Sequence, residues 1–290
     1  MNVQDFDDFY EEVHGYPPFP WQGDLVRQIA ERGEWPALVD VPTGLGKTSL
    51  LDIAVFLCAL DAAEPTAVRV GRRRVFFVVD RRVVVDQAAQ HAGKIVSRLS
   101  QAPRETVSGE VAERLRALSG PSAKDGLLPV VKMRGGVTWD AAWLSRPDLP
   151  GIVTGTVDQV GSRLFFRGYG VSSRRWPIDA ALVGTDSVVL VDEAHLATAL
   201  TDSLKAGQSY DHASHSLEVP KPLVVQLTAT AREAGPGWTP DFDEPAHLAN
   251  PVAARRLTAA KTLRLVECAK AATVRTLADA ASQSARDPGD

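Results

Sequence analysis

Residues 41–48 read Val41-Pro42-Thr43-Gly44-Leu45-Gly46-Lys47-Thr48, a glycine-rich octet ending in a lysine and a threonine. It follows a short apolar run at 35–41. It opens a segment in which Leu50, Leu51, Ala54, Val55 and Cys58 recur at helical spacing. A glycine-rich turn between a strand and a helix points successive backbone N–H groups inward. Together with the positive end of the helix dipole they grip an anion. Gly44 and Gly46 supply the backbone freedom such a turn needs, and Pro42, Thr43 and Leu45 complete it. Lys47 adds a mobile charge suited to the β- and γ-phosphates of ATP. Thr48 adds a hydroxyl suited to Mg2+, with Ser49 next in the first helical turn.

Working outward, strand-like and helix-like segments alternate. Residues 74–79 form a continuous apolar run, as a strand buried on both faces requires. Helical spacing follows at 83–99 and 107–118, the second closed by Gly120-Pro121. Strands are expected at 128–133, 152–154, 187–191 and 223–227, with a candidate last strand at 262–266 and a helix starting at 157. This alternation predicts an α/β fold with a mostly parallel sheet and helices on both faces. Residues 233–251, rich in Gly, Pro and Asp, read as a loop, and residues 268–285 as an alanine-rich helix.

The strand at 187–191 runs into Asp192-Glu193-Ala194-His195. Parallel strands deliver their C-terminal residues to the ligand edge of a sheet. Asp192 is therefore expected to meet the magnesium held by Thr48, and Glu193 to orient the attacking water as general base. His195 would bridge to the next motif. The competing reading is a helix start capped by Asp192 with Glu193 in its first turn. The two readings part on one spatial expectation: the lysine-bearing turn and the aspartate-bearing strand end must share one sheet edge.

Composition sets bounds. The 290 residues suffice for one large domain or two small ones, and a net charge of −4 is not that of a DNA-coating protein. Arginines cluster at 72–74, 81–82, 174–175 and 255–256. Each cluster reads first as solvated surface, with a local positive track as the alternative. Cys58 and Cys268 lie far apart in apolar runs and read as buried thiols in a reducing compartment. The N-terminus is acidic (Asp5, Asp7, Asp8, Glu11, Glu12) rather than signal-like. No apolar run nears the roughly 20 residues of a membrane span, so a cytoplasmic protein is expected. His14, His91 and His247 show no partners in the sequence. His212 and His215 could share a helix face and a metal, or lie in solvent. Core packing is the favoured role for the tryptophans, over base stacking by Trp139 and Trp143.

The tetrad 192–195 is similar to the DEAH box of superfamily 2 helicases, and other segments follow in that family's order. Phe19-Pro20-Trp21-Gln22 resembles the glutamine motif, which implies that Gln22 reads the adenine edge; the plain alternative is a surface glutamine. Val79-Asp80-Arg81-Arg82 resembles motif Ia, and Thr154-Gly155-Thr156-Val157-Asp158-Gln159 motif Ib/Ic. The resemblance implies that Arg81, Arg82, Arg134, Thr156 and Asp158 follow a nucleic-acid backbone. Thr228-Ala229-Thr230 resembles motif III, implying that Thr228 and Thr230 couple nucleotide state to strand movement; alone they are turn residues. Val41 stands where the strict phosphate-loop pattern has glycine, a departure normal in helicases.

The finer resemblance is to the CRISPR-associated helicase–nuclease of type I systems, subtype I-G, on residues 78–87, 155–159 and 163–170. It implies a first RecA-like P-loop NTPase lobe using ATP and Mg2+ and moving on single-stranded DNA. It also implies an HD nuclease domain and a guide-RNA surveillance complex as partners. On that basis 1–34 is an N-terminal segment with the glutamine motif, 35–250 the RecA-like domain, and 251–290 a linker toward a second RecA-like lobe. No Gln-x-x-Gly-Arg-x-Gly-Arg sequence, which would carry arginine fingers, occurs. The chain is accordingly expected to be a split product or a fragment that binds ATP weakly and hydrolyses it slowly. A DEAH-type RNA helicase, a restriction-type translocase and a non-catalytic nucleotide-dependent adaptor are the rival readings.

Overall fold

The structure, a computed structural model, describes residues 1–66, 68–119, 127–135, 142–211, 220–229, 237–259 and 265–286. Among them, six strands form one sheet: β1 (Leu38–Asp40), β2 (Arg74–Val79), β3 (Val130–Met133), β4 (Gly151–Thr156), β5 (Ser187–Val191) and β6 (Leu223–Thr228). All pair in parallel, in the order β1-β6-β5-β2-β4-β3. The strand that leads into the phosphate loop therefore joins the sheet only through β6. Its other edge is covered by Trp238, whose backbone exchanges hydrogen bonds with Leu38 and Asp40 at 2.8 and 3.0 Å. That cover removes an open strand edge.

The helices are α1 (Phe6–His14), α2 (Pro20–Arg32), α3 (Leu50–Leu60), α4 (Arg82–Gln101), α5 (Val107–Ala117), α6 (Ala142–Ser145), α7 (Val157–Leu164), α8 (Trp176–Gly184), α9 (Thr198–Asp211), α10 (Pro245–Ala249), α11 (Pro251–Leu257) and α12 (Thr273–Arg286). Side chains alternate across a strand, so the continuous apolar runs feed two cores. Phe76 and Val78 of β2, Val153 of β4 and Val189 and Val191 of β5 pack with Val160 of α7, Val183 of α8 and Leu200 of α9. The opposite face carries α3 and α4, with α1 and α5 packed on them. This is the doubly covered parallel sheet that the alternation predicts.

Differences from expectation have local causes. In α1, Phe6, Phe9, Tyr10 and Val13 form one buried stripe behind an acidic outer face. Phe6 and Phe9 meet Phe56 of α3 with ring centroids 5.4 and 5.6 Å apart. The segment expected to be a loop contains α10, started by Pro245 at its first turn and anchored by buried His247. Leu265 and Val266, the described end of the candidate last strand, are exposed and outside any strand. Cys58 is buried, but Cys268 is exposed, because the apolar run around it is not covered.

The arginines at 72–74 are not a solvated cluster. Asp186, itself buried, pairs with Arg69 and with Arg73, each at 3.3 Å. Arg74 spends its guanidinium on the carbonyls of Leu182, Pro147 and Thr185. Burial holds the Arg74 guanidinium below its usual range, with Asp186 opposing that effect.

Residues 1–256 form one compact unit that includes α1 and α2. Residues 257–290 form a second, whose described part holds α12. No helix among the described residues is long and apolar enough to cross a membrane.

Candidate functional site

After β1 the chain turns through the glycine-rich loop with Gly44 at φ +90° and Gly46 at φ +79°, conformations that favour glycine. Lys47–Ser49 then makes one tight turn before α3 begins. The loop is braced from behind by α2. Trp21 Nε1 donates to the Leu45 carbonyl at 2.9 Å, and Gln22 Nε2 donates to Ser49 Oγ at 2.6 Å. Ser49 Oγ in turn donates to the Gly46 carbonyl at 2.6 Å. Gln22 is fully buried, and its Oε1 accepts from the Phe19 amide at 2.9 Å. Its amide is thus engaged at both ends within the chain.

The acidic tetrad lies at the C-terminal end of β5. The Asp192 amide donates to the Val78 carbonyl at 2.9 Å, extending the β5–β2 ladder by one rung. Glu193 then takes a left-handed backbone (φ +47°), which costs a non-glycine residue roughly 1–3 kcal/mol. That turn swings its carboxylate toward the loop, where Lys47 Nζ donates to Glu193 Oε1 at 3.2 Å across 146 residues of sequence. The other carboxylate oxygen lies 3.5 Å from His195 Nδ1. Burial pushes the Asp192 carboxyl above its usual range and Glu193 adds to this, while Lys47 pulls it down.

The lysine-bearing turn and the acidic strand end therefore share one sheet edge. β6 lies between their strands, and Thr228 at its end sits in register with Asp40. The Thr228 carbonyl accepts from the Val41 amide at 3.0 Å. The donor chemistry fits ATP and magnesium. Thr48 and Asp192 offer hard oxygens, Lys47 a buried cation, and the loop backbone two left-handed glycines.

A cavity of about 640 Å³ opens beside the loop. Tyr10, Tyr16, Phe19, Gly46, Thr48, Ser49, Asn250 and Arg256 are among the residues that line it. The Arg256 guanidinium donates to the Gly44 carbonyl. Tyr10, Tyr16, Asn250 and Arg256 carried no motif in the sequence. Only the segment 250–256 gave a signal, as an arginine pair.

The remaining expected residues are distributed as follows. Arg81 and Arg82 are exposed at the start of α4. Arg134 Nε pairs with Asp86 Oδ1 at 3.0 Å. Thr156 is buried at the end of β4, and Asp158 is exposed in the first turn of α7. Thr230, Trp139, His212 and His215 lie outside the described residues. Trp21, Trp35 and Trp143 are core residues. His14 and His91 have a partner after all, both binding the Asp52 carboxylate, and His247 lies 3.9 Å from Asp24.

A model of the protein family described as type III restriction enzyme, res subunit, matches residues 15–233. No curated protein matches the chain. Among solved structures, the yeast DEAD-box splicing factor Prp28 is similar with a TM-score of 0.45 and 15% identity, over 77% of this chain and 44% of that one. The similarity thus spans less than half of that protein's length.

Proposed function

The chain belongs to the family of the type III restriction enzyme res subunit, and from that premise we propose that it is the ATP-binding lobe of a motor moving on single-stranded DNA. Membership of this family makes it an ATP-dependent helicase or translocase domain. The observation that supports the ATP site is the Lys47–Glu193 contact at 3.2 Å, because it joins the two halves of a triphosphate site. The loop amides and Lys47 would hold the β- and γ-phosphates, and Thr48 and Asp192 the magnesium. Bound magnesium supplies charge neutralisation for the phosphates. Glu193 would release Lys47 and orient the attacking water. Gln22, buried against Ser49, would set the loop for the nucleotide, and Tyr10, Tyr16 and Phe19 would enclose the base. Arg81, Arg82, Thr156 and Asp158 lie on segments that follow the sheet's C-terminal edge and would track the DNA backbone. Thr228, on the strand between β1 and β5, is suited to sense both.

For the biological setting we favour CRISPR type I interference, on the resemblance of residues 78–87, 155–159 and 163–170. A second reading, a restriction-type translocase on duplex DNA, draws on the family's own description. Binding of a fluorescent ATP analogue to this chain, with Lys47→Ala as control, tests the site. Unchanged affinity in the variant refutes it. ATPase stimulation of the full-length motor by single-stranded DNA, duplex DNA and RNA then tests the track. A preference for single strands supports the first reading, equal response to duplex the second, and a preference for RNA overturns both.

A further inference from the structure

Asp52 stands on α3 four residues beyond Thr48, and its carboxylate is fully buried. Each of its oxygens faces an imidazole from a different helix. His14 Nε2 of α1 lies 2.8 Å from Oδ1, and His91 Nε2 of α4 lies 2.5 Å from Oδ2. The two rings stack with centroids 4.9 Å apart and planes 25° from parallel. One ligand atom from each of the three residues lies within 4.8 Å of the other two. The buried carboxylate and the two imidazole nitrogens thus bring one oxygen donor and two nitrogen donors together. The nearby Lys94 ammonium is engaged elsewhere, donating to the His14 carbonyl at 3.3 Å and lying over the Tyr16 ring.

We propose that His14, Asp52 and His91 bind one divalent transition-metal ion, with zinc the best match to the donors. Two imidazole nitrogens and a carboxylate oxygen are the ligands zinc takes where a fourth position stays open. Each ligand sits on its own helix, so the ion would clamp α1 and α4 onto α3 at the point where α3 leaves the phosphate loop. His91 also lines the cavity beside Thr48 and Ser49, so a bound ion would lie close to the space next to that loop. Neither the donors nor the geometry depends on the nucleotide reading.

The test uses the chain stripped with a chelator, without nucleotide. Zn2+ is titrated by calorimetry and Co2+ by visible absorption. The expected result is one equivalent of zinc bound, a rise in Tm of several degrees, and a cobalt d–d band. His91→Ala should abolish that one-equivalent step, whereas Asp192→Asn should retain it, which separates this site from the phosphate loop. His91→Gln, a gentler change at a partly exposed ring, repeats the test if the alanine variant fails to fold. No zinc binding by the unmodified chain overturns the proposal. So does binding that survives both His91 variants, or binding lost in Asp192→Asn alone. In each of those cases the three side chains share protons and nothing else.

Discussion

Lys47 and Glu193 form an ion pair at 3.2 Å in which the loop's cation is held by the carboxylate assigned to water activation. Incoming phosphates must compete with that carboxylate for Lys47. The Glu193 side chain is 36% exposed, so the pair is worth about 0–1 kcal/mol at most. Glu193→Gln should therefore tighten ATP binding by roughly two- to fivefold while lowering hydrolysis by about 10² or more. Titration with a fluorescent analogue and a single-turnover assay read the two effects. Weaker binding in the variant would show that the pair does not compete with nucleotide.

Two glycines make a matched pair. A Cβ on Gly46 would lie 3.0 Å from Gln22 Nε2 and 3.4 Å from the Phe19 ring, on a left-handed backbone. Gly46→Ala should cost about 1–2 kcal/mol in stability and weaken ATP binding by about tenfold or more. A Cβ on Gly93, within α4, meets nothing within 4 Å. Gly93→Ala should stabilise the chain by about 0.5–1 kcal/mol and leave ATP binding alone. Urea unfolding measures both, and equal effects of the two changes would contradict the loop geometry.

Asp186 is a hub whose loss should be severe. It neutralises buried Arg69 and accepts from both the side chain and the amide of Arg73. Asp186→Ala strands a buried guanidinium, which typically costs about 3–5 kcal/mol. Asp186→Asn keeps an acceptor and should cost less. If chemical denaturation showed the alanine variant within about 1 kcal/mol of the parent, the buried pair would be energetically idle.

The two cysteines should behave oppositely. Burial pushes the Cys58 thiol up to about 12, with Asp186 adding to the effect, so it stays protonated through neutral pH. Cys268 is exposed. Under native conditions at pH 8, iodoacetamide should label Cys268 and spare Cys58, and Cys268→Ser should abolish labelling. In denaturant both should react. Native labelling of Cys58 would mean that α3 opens readily.

Where the sequence was legible, the reason was local. The run Val75 to Val79 declares a strand because both its faces are buried and no polar residue interrupts it. The loop from Gly44 to Thr48 is readable because its chemistry and its turn occupy adjacent positions. Helix α1 is hard to read in the sequence because Asp7, Asp8, Glu11 and Glu12 are interleaved with the apolar stripe of Phe6, Phe9, Tyr10 and Val13. The solvated reading of Arg72 to Arg74 failed because Asp186 comes to them from far along the chain. The His14–Asp52–His91 group could not be read at all, since its members come from three helices and share no spacing. Only packing of α1 and α4 on α3 brings them together.

The strand order has a consequence for biosynthesis. Because β1, among the described strands, pairs only with β6, the phosphate loop leaves the ribosome long before the segment that will anchor it. Until residues 223–228 have been translated, the nascent chain can assemble β2, β4 and β5 but has no seat for β1. A release at residue 215 should therefore yield a product with an intact β2–β5 ladder in which β1 and the phosphate loop after it are protease-sensitive.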